Sequence, residues 1–148
     1  MCHHNMMKCT VRIAKQGDIS TMHAIRLAVR ENSLGAASGI TEASYSPYVR
    51  GGSAWVAELG DKIFGFAAAD PLSGNVWAMF VAPEAEGNGI GRALHEAVLE
   101  WASCLGIERI NLTTAAETRA EHFYRKMGWR MTGHHEDGQV CFDRSPSR

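Results

Sequence analysis

A chain of 148 residues, 45% hydrophobic and 21% charged, has the size and composition of a single domain spanning 1–148 with a packed core, neither disordered by composition nor membrane-like. Its formal net charge of -1 gives no basic footprint for nucleic-acid phosphates, and no apolar run reaches the roughly 18 residues of a membrane span, so neither nucleic acid nor membrane is an expected partner. The start Met1-Cys2-His3-His4-Asn5 lacks a signal peptide's apolar region, which makes the cytoplasm the expected compartment and residues 1–9 a flexible tail.

Elements follow in chain order. Asp18 reads as an N-cap, and Ile19, Met22, Ile25 and Val29 recur at helical spacing until Asn32, predicting a helix over 18–32. From Thr41 to Val49 a cap-like Thr41 and Glu42 suggest a helical start, which Pro47 keeps short. Ala54 to Leu59 and Ile63 to Asp70 read as two antiparallel strands about a Gly60-Asp61-Lys62 turn. After Pro71-Leu72-Ser73-Gly74, the run Val76 to Val81 reads as a buried strand closed by Pro83.

The apolar positions Ile90, Ala93, Leu94, Ala97, Val98, Trp101, Ala102 and Leu105 then mark a long amphipathic helix ending at Gly106. Ile110 to Thr114 follows as a strand, so strand, helix and strand suggest a right-handed parallel crossover. Arg119 to Met127 reads as a helix that buries Ala120, Phe123, Tyr124 and Met127. Trp129 to Gly133 and Gln139 to Phe142 form a hairpin about Asp137-Gly138. The order is a helical start, an antiparallel meander, a βαβ unit and a closing hairpin, hence an α/β chain whose mixed sheet carries helices on its faces.

Cys2, Cys9, Cys104 and Cys141 lack CxxC spacing, and the pairs His3-His4 and His134-His135 fit solvated surface, so no metal is expected. Cys104 reads as a small apolar residue of its helix. His23, His95 and His122 read as exposed residues of amphipathic helices.

The informative segment is Glu86-Gly87-Asn88-Gly89-Ile90-Gly91-Arg92, between a buried strand and an amphipathic helix. Glycines let successive N–H groups converge, and the helix start adds unpaired donors at a positive dipole end, which suits a pyrophosphate. A dinucleotide fingerprint begun at Gly87 needs glycine where Arg92 stands, and a P-loop needs Lys followed by Ser or Thr, so both fail. Three alternating glycines at a helix start favour an anion site over a turn serving only packing.

This segment, with Val81-Ala82-Pro83-Glu84 before it, Arg92-Ala93-Leu94 after it and Ala120-Glu121-His122-Phe123-Tyr124-Arg125-Lys126-Met127-Gly128-Trp129 downstream, resembles the GNAT acetyltransferase superfamily and its acetyl-CoA signature Q/R-x-x-G-x-G/A. The resemblance implies a central mixed, mostly antiparallel sheet with a parallel βαβ unit and helices on both faces. It implies acetyl-CoA as co-substrate, with the pyrophosphate on Gly87, Gly89, Ile90 and Gly91 and their neighbours Asn88 and Arg92, and the pantetheine along Phe80 and Val81. A bulge in the strand carrying those two residues would expose N–H groups to the thioester carbonyl.

Two acids depart from the family's pattern: Glu86 opens the signature, and Glu117 stands where an Asn often precedes the last helix. A carboxylate beside the loop repels pyrophosphate, by roughly 0.3–1 kcal/mol if exposed. Tyr124 matches the family tyrosine that faces the sulfur as general acid or hydrogen-bond donor, with Phe123 assigned to packing. No acid lies in Val76 to Val81, so Glu31, or Glu42, stands in as the candidate base. The implied reaction is direct attack by a primary amine, of a small molecule or peptide, in a ternary complex; the alternative is a non-catalytic acyl-CoA sensor. A homodimer is also expected from exposed strand edges.

Overall fold

The alternation Cys9-Thr10-Val11-Arg12-Ile13 builds the first strand, β1 (Cys9–Ile13), where the sequence reading began with a tail and a helix. Its period of two is a strand signal, spoiled for a reader by Ile13, which is 55% exposed at a sheet edge. The computed structural model describes residues 8–30, 39–135 and 137–147. It divides into two compact units, Met1–Ala69 with Ala78–Val98 and Asp70–Trp77 with Leu99–Arg148.

In the first unit β1 pairs antiparallel with β2 (Ala54–Leu59), which pairs antiparallel with β3 (Lys62–Ala69). Leu59 faces Lys62 across the two-residue turn Gly60-Asp61. The sheet order is β1-β2-β3-β4, with β4 at Val76–Val81 as the pattern predicts. Helix α1 (Ile19–Arg30) packs on β3, with its Met22 and Ile25 buried.

Asp18 does not cap α1. It closes a 3-10 turn, Gln16–Asp18, by accepting the Lys15 N–H at 2.7 Å, and it is held by Arg12 at 2.9 and 3.1 Å. That guanidinium also reaches Glu58 at 3.3 Å and keeps the Asp18 carboxyl below its usual range. The stretch after Thr41 is a 3-10 turn, Glu42–Tyr45, running into the short α2 (Ser46–Arg50), with Pro47 in its first turn.

Helix α3 (Ile90–Cys104) starts in the first unit and ends in the second. Ile90, Leu94 and Val98 are buried as predicted, whereas His95, read as exposed, is 1% exposed, and Cys104 and Leu105, read as packed, lie on the surface. The predicted stripe drifts because Leu99 is buried too, turning the helix face towards the His95–Leu99 side.

The second unit holds β5 (Ile110–Ala115), β6 (Arg130–His134) and β7 (Gln139–Arg144) in the order β5-β7-β6, both pairs antiparallel. Parallel pairing is reduced to a bridge between Asn75 and Asn111, supported by Asn75 Nδ2 donating to Asn111 Oδ1 at 2.9 Å. Gly74 makes that approach possible: its φ is +74°, and a Cβ there would stand 2.6 Å from the Arg109 carbonyl oxygen. Helix α4 (Arg119–Lys126) packs on β5; Tyr124 is buried, while Ala120, predicted to face the core, is exposed. The fold is mixed α/β with mostly antiparallel strands, as the sequence predicts.

Candidate functional site

The glycine loop lies wholly in the first unit. Strand β4 ends on the half-buried Phe80 and Val81, and Ala82 ties its exit to β3 by donating to the Phe64 carbonyl at 2.7 Å. A 3-10 turn, Pro83–Ala85, then delivers Glu86 to the loop. Gly87 and Gly89 carry φ of +86° and +78°, a backbone that other residues adopt only at a cost, and no atom lies within 4 Å of where a Cβ would stand on either. Their requirement is conformational, and the space before them is open.

Asn88, between them, turns its side chain back, its Nδ2 donating to the Ala85 carbonyl at 2.9 Å. The amide thus braces the loop and does not cap the helix. The Ala93 N–H bonds the Gly89 carbonyl at 3.0 Å, which makes Gly89 the cap and leaves the N–H groups of Ile90, Gly91 and Arg92 without an intrahelical acceptor. Ile90 points its side chain inward at 1% exposure, while Glu86 and Arg92 are exposed.

Helix and sheet approach closely here because β3 carries Gly65, where a Cβ would meet Ile90 Cγ2 at 2.7 Å and the Phe80 carbonyl at 3.0 Å. Any side chain there would push the start of α3 off the strands. Sequence reasoning passed over Gly65; an isolated glycine in a strand is the signal that marks such an approach.

The second group of candidates lies in the second unit. Glu117 has φ +60°, a left-handed backbone on a residue with a side chain, which explains why an Asn, tolerant of that conformation, suits the position. Its N–H donates to Glu121 Oε1 at 2.7 Å, and the N-cap Thr118 accepts the Glu121 N–H at 3.2 Å. Glu121 is clamped from the other side by Arg125 at 2.8 Å, four residues on.

Tyr124 is 6% exposed and stacks edge-on against Trp129 and Phe123 at 5.6 and 5.3 Å. The assignment of packing to Phe123 alone is thereby corrected: Tyr124 is the more buried of the pair, because α4 turns that side to β5 and Trp129. Burial pushes the phenol far above its usual pKa, so the hydroxyl keeps its proton at any physiological pH. A phenol in that state can donate a hydrogen bond to a developing negative charge, while full release of its proton is made harder.

Glu31, the candidate base, lies outside the described residues, and Glu42 is exposed at the start of its turn. His122 is exposed as expected, but His23 is half-buried, with Nδ1 2.9 Å from the Tyr45 hydroxyl. Among the described residues no three His, Cys, Asp or Glu side chains gather to hold a metal, and no helix is long and apolar enough to cross a membrane.

Comparison with known proteins bears on these two regions. The acetyltransferase (GNAT) domain matches residues 50–131, more than half of the chain and all of the glycine loop. Mycothiol acetyltransferase of Pseudarthrobacter chlorophenolicus is 33% identical over 49% of this chain and 25% of its own length. N-acetyltransferase family 8 member 2 of Rattus norvegicus is 34% identical over 57% of this chain and 41% of its own. The chain therefore spans well under half the length of these relatives. In fold it is similar to the PaiA N-acetyltransferase of Thermoplasma acidophilum, solved in complex with coenzyme A, with a TM-score of 0.80 over 94% of this chain and 99% of that one at 14% identity.

Proposed function

The chain belongs to the GNAT acetyltransferase family, and from that premise we propose that it transfers the acetyl group of acetyl-CoA to a primary amine of a small molecule or peptide by direct attack in a ternary complex. The observation that carries this reading is the loop before α3: two left-handed glycines with open space before them, and three helix-start N–H groups without an intrahelical acceptor. These features fit a pyrophosphate, which needs convergent donors and close backbone approach.

When bound, acetyl-CoA supplies an acetyl thioester. The amides of Gly87, Gly89, Ile90 and Gly91 hold its pyrophosphate, with Asn88 bracing the loop and Arg92 adding a positive charge at its rim. Phe80 and Val81 take the pantetheine arm along β4. Tyr124, whose buried hydroxyl stays protonated, would donate a hydrogen bond to the departing sulfur. The names of the similar proteins, a mycothiol acetyltransferase and an N-acetyltransferase, support the class and leave the acceptor open.

Calorimetric titration with acetyl-CoA, against NADH and ATP as controls, followed by thiol release with a panel of amines, tests the reading. Selective acetyl-CoA binding and amine-dependent release of CoA are expected. Binding without release from any amine would make the chain an acyl-CoA sensor, and no binding at millimolar acetyl-CoA would end the transferase reading. Tyr124→Phe is expected to keep cofactor affinity while lowering turnover roughly 10²-fold; an unchanged rate in a folded variant would remove Tyr124 from the chemistry.

A further inference from the structure

His23 and Arg26 lie three residues apart on α1 and share a helix face. Both meet Tyr45, from the 3-10 turn Glu42–Tyr45, whose side chain is fully buried. His23 Nδ1 stands 2.9 Å from the Tyr45 hydroxyl with the rings edge-on at 5.5 Å, and Arg26 donates a hydrogen bond to the same phenol oxygen. The Arg26 guanidinium, itself 5% exposed, also lies over the Phe80 ring at 5.0 Å. Tyr45 and Phe80 both contact Phe66, at 5.8 and 5.7 Å. The cluster thus runs from the end of β4, the strand read as carrying the pantetheine arm, to a half-buried imidazole.

A guanidinium has only N–H groups to offer, so the Tyr45 oxygen accepts from Arg26, and the arrangement that uses the phenol's own proton directs it to His23 Nδ1. An imidazole that accepts at Nδ1 carries its proton, when neutral, on Nε2. The chain of donors starts at a cation, and each bond polarises the next, which makes the final N–H a strong donor. Nε2 has no hydrogen-bond partner among the described residues, and the ring is accessible enough to receive one from solvent or a ligand. Of the acidic side chains, Glu42 acts on this cluster through its charge at Tyr45, from an exposed position.

We propose that His23 Nε2–H, oriented through Tyr45 by Arg26, binds a carboxylate oxygen on the acceptor, so that the acceptors are amines bearing a carboxylate, as an α-amino acid does, in preference to simple alkylamines. This rests on the transferase reading of the same molecule. His23 is then a specificity-determining residue, and Tyr45 and Arg26 are positioning residues.

The test uses the CoA-saturated full chain labelled with ¹⁵N at histidine, so that it needs no turnover. Nuclear magnetic resonance is expected to show His23 protonated at Nε2 with Nδ1 accepting, and Tyr45→Phe is expected to abolish that fixed preference. Titration with a set of α-amino acids is expected to shift the Nε2 signal, whereas the amines left by their decarboxylation leave it unmoved. His23→Ala is expected to weaken the amino acids about tenfold and the amines not at all, with His23→Gln, whose amide N–H reaches the same place, restoring most of the loss. A proton on Nδ1, or an equal response to both sets including no response to either, would overturn the proposal. Calorimetric acetyl-CoA affinity, expected to be unchanged in His23→Ala, separates this from failure of the transferase reading, which would abolish acetyl-CoA binding in the unmodified chain.

Discussion

Helices α3 and α4 both begin just after a left-handed residue, yet they settle the N–H groups of their first turns in opposite ways. At α4 the chain supplies its own anion: Glu121 folds back to accept the Glu117 N–H, and Thr118 caps the Glu121 N–H. At α3 the residue in the capping region, Asn88, points its side chain backwards, and glycines carry the left-handed backbone. A helix start that already has its own carboxylate and a side-chain cap gains less from an external anion than one with neither. Under the proposed function the difference suits α3 to the anion and leaves α4 to carry Tyr124.

The largest break of this contrast comes from giving α3 the side chains that α4 has. With φ of +86° and +78°, alanine at Gly87 and Gly89 costs about 1–2 kcal/mol each, either as strain or as a loop that relaxes out of shape. Gly87→Ala with Gly89→Ala is expected to weaken acetyl-CoA about 100-fold by calorimetry. Unchanged affinity would place the pyrophosphate contact elsewhere.

The reverse operation on α4 should help. Glu117 bears a left-handed backbone that Asn adopts at lower cost, so Glu117→Asn is expected to raise stability by about 0.5–1 kcal/mol and the melting temperature by a few degrees, with little change in acetyl-CoA affinity. A lower melting temperature would mean that the Glu117 side chain contributes more than its backbone costs. Smaller still is Glu86→Gln, which removes an exposed carboxylate beside the open amides of α3. It is expected to tighten acetyl-CoA by about two- to fivefold, less at high salt, since the repulsion is worth roughly 0.3–1 kcal/mol.

The contrast also explains what could be read from the sequence. The α3 loop was legible because its geometry is local: alternating glycines after a buried strand announce convergent, bare amides at a helix start, and the structure supplies them through left-handed Gly87 and Gly89. The strands β2, β4 and β5 and the body of α3 were legible for the same reason, through period and punctuation. What failed depends on partners distant in sequence. Gly65 matters only because Ile90 and Phe80 arrive against it, and His23 matters only because Tyr45 lies 22 residues on. His95 reads as polar surface, yet α3 is rotated enough to bury it. Edge strand β1 was lost because its partner β2 lies more than 40 residues away and its last apolar residue faces solvent.

The smallest effect is the sharpest test of the self-capped helix. Glu121 accepts the Glu117 N–H and the Arg125 guanidinium, and both, the backbone bond first, hold its carboxyl below the usual range. A depressed pKa in the folded state means that the contribution is complete above the unfolded value, about 4.3, and is lost as pH falls through the lower folded one. Other carboxylates held down by arginines, Asp18 and Asp143 among them, titrate in the same window, so the whole-chain acid limb does not isolate Glu121. Comparison with Glu121→Gln does: its melting temperature is expected to lie slightly below that of the parent at neutral pH and to converge with it on acidification. An offset independent of pH would mean that the Glu121 carboxylate caps α4 by shape and not by charge, and the anion that distinguishes the start of α4 from that of α3 would lose its electrostatic meaning.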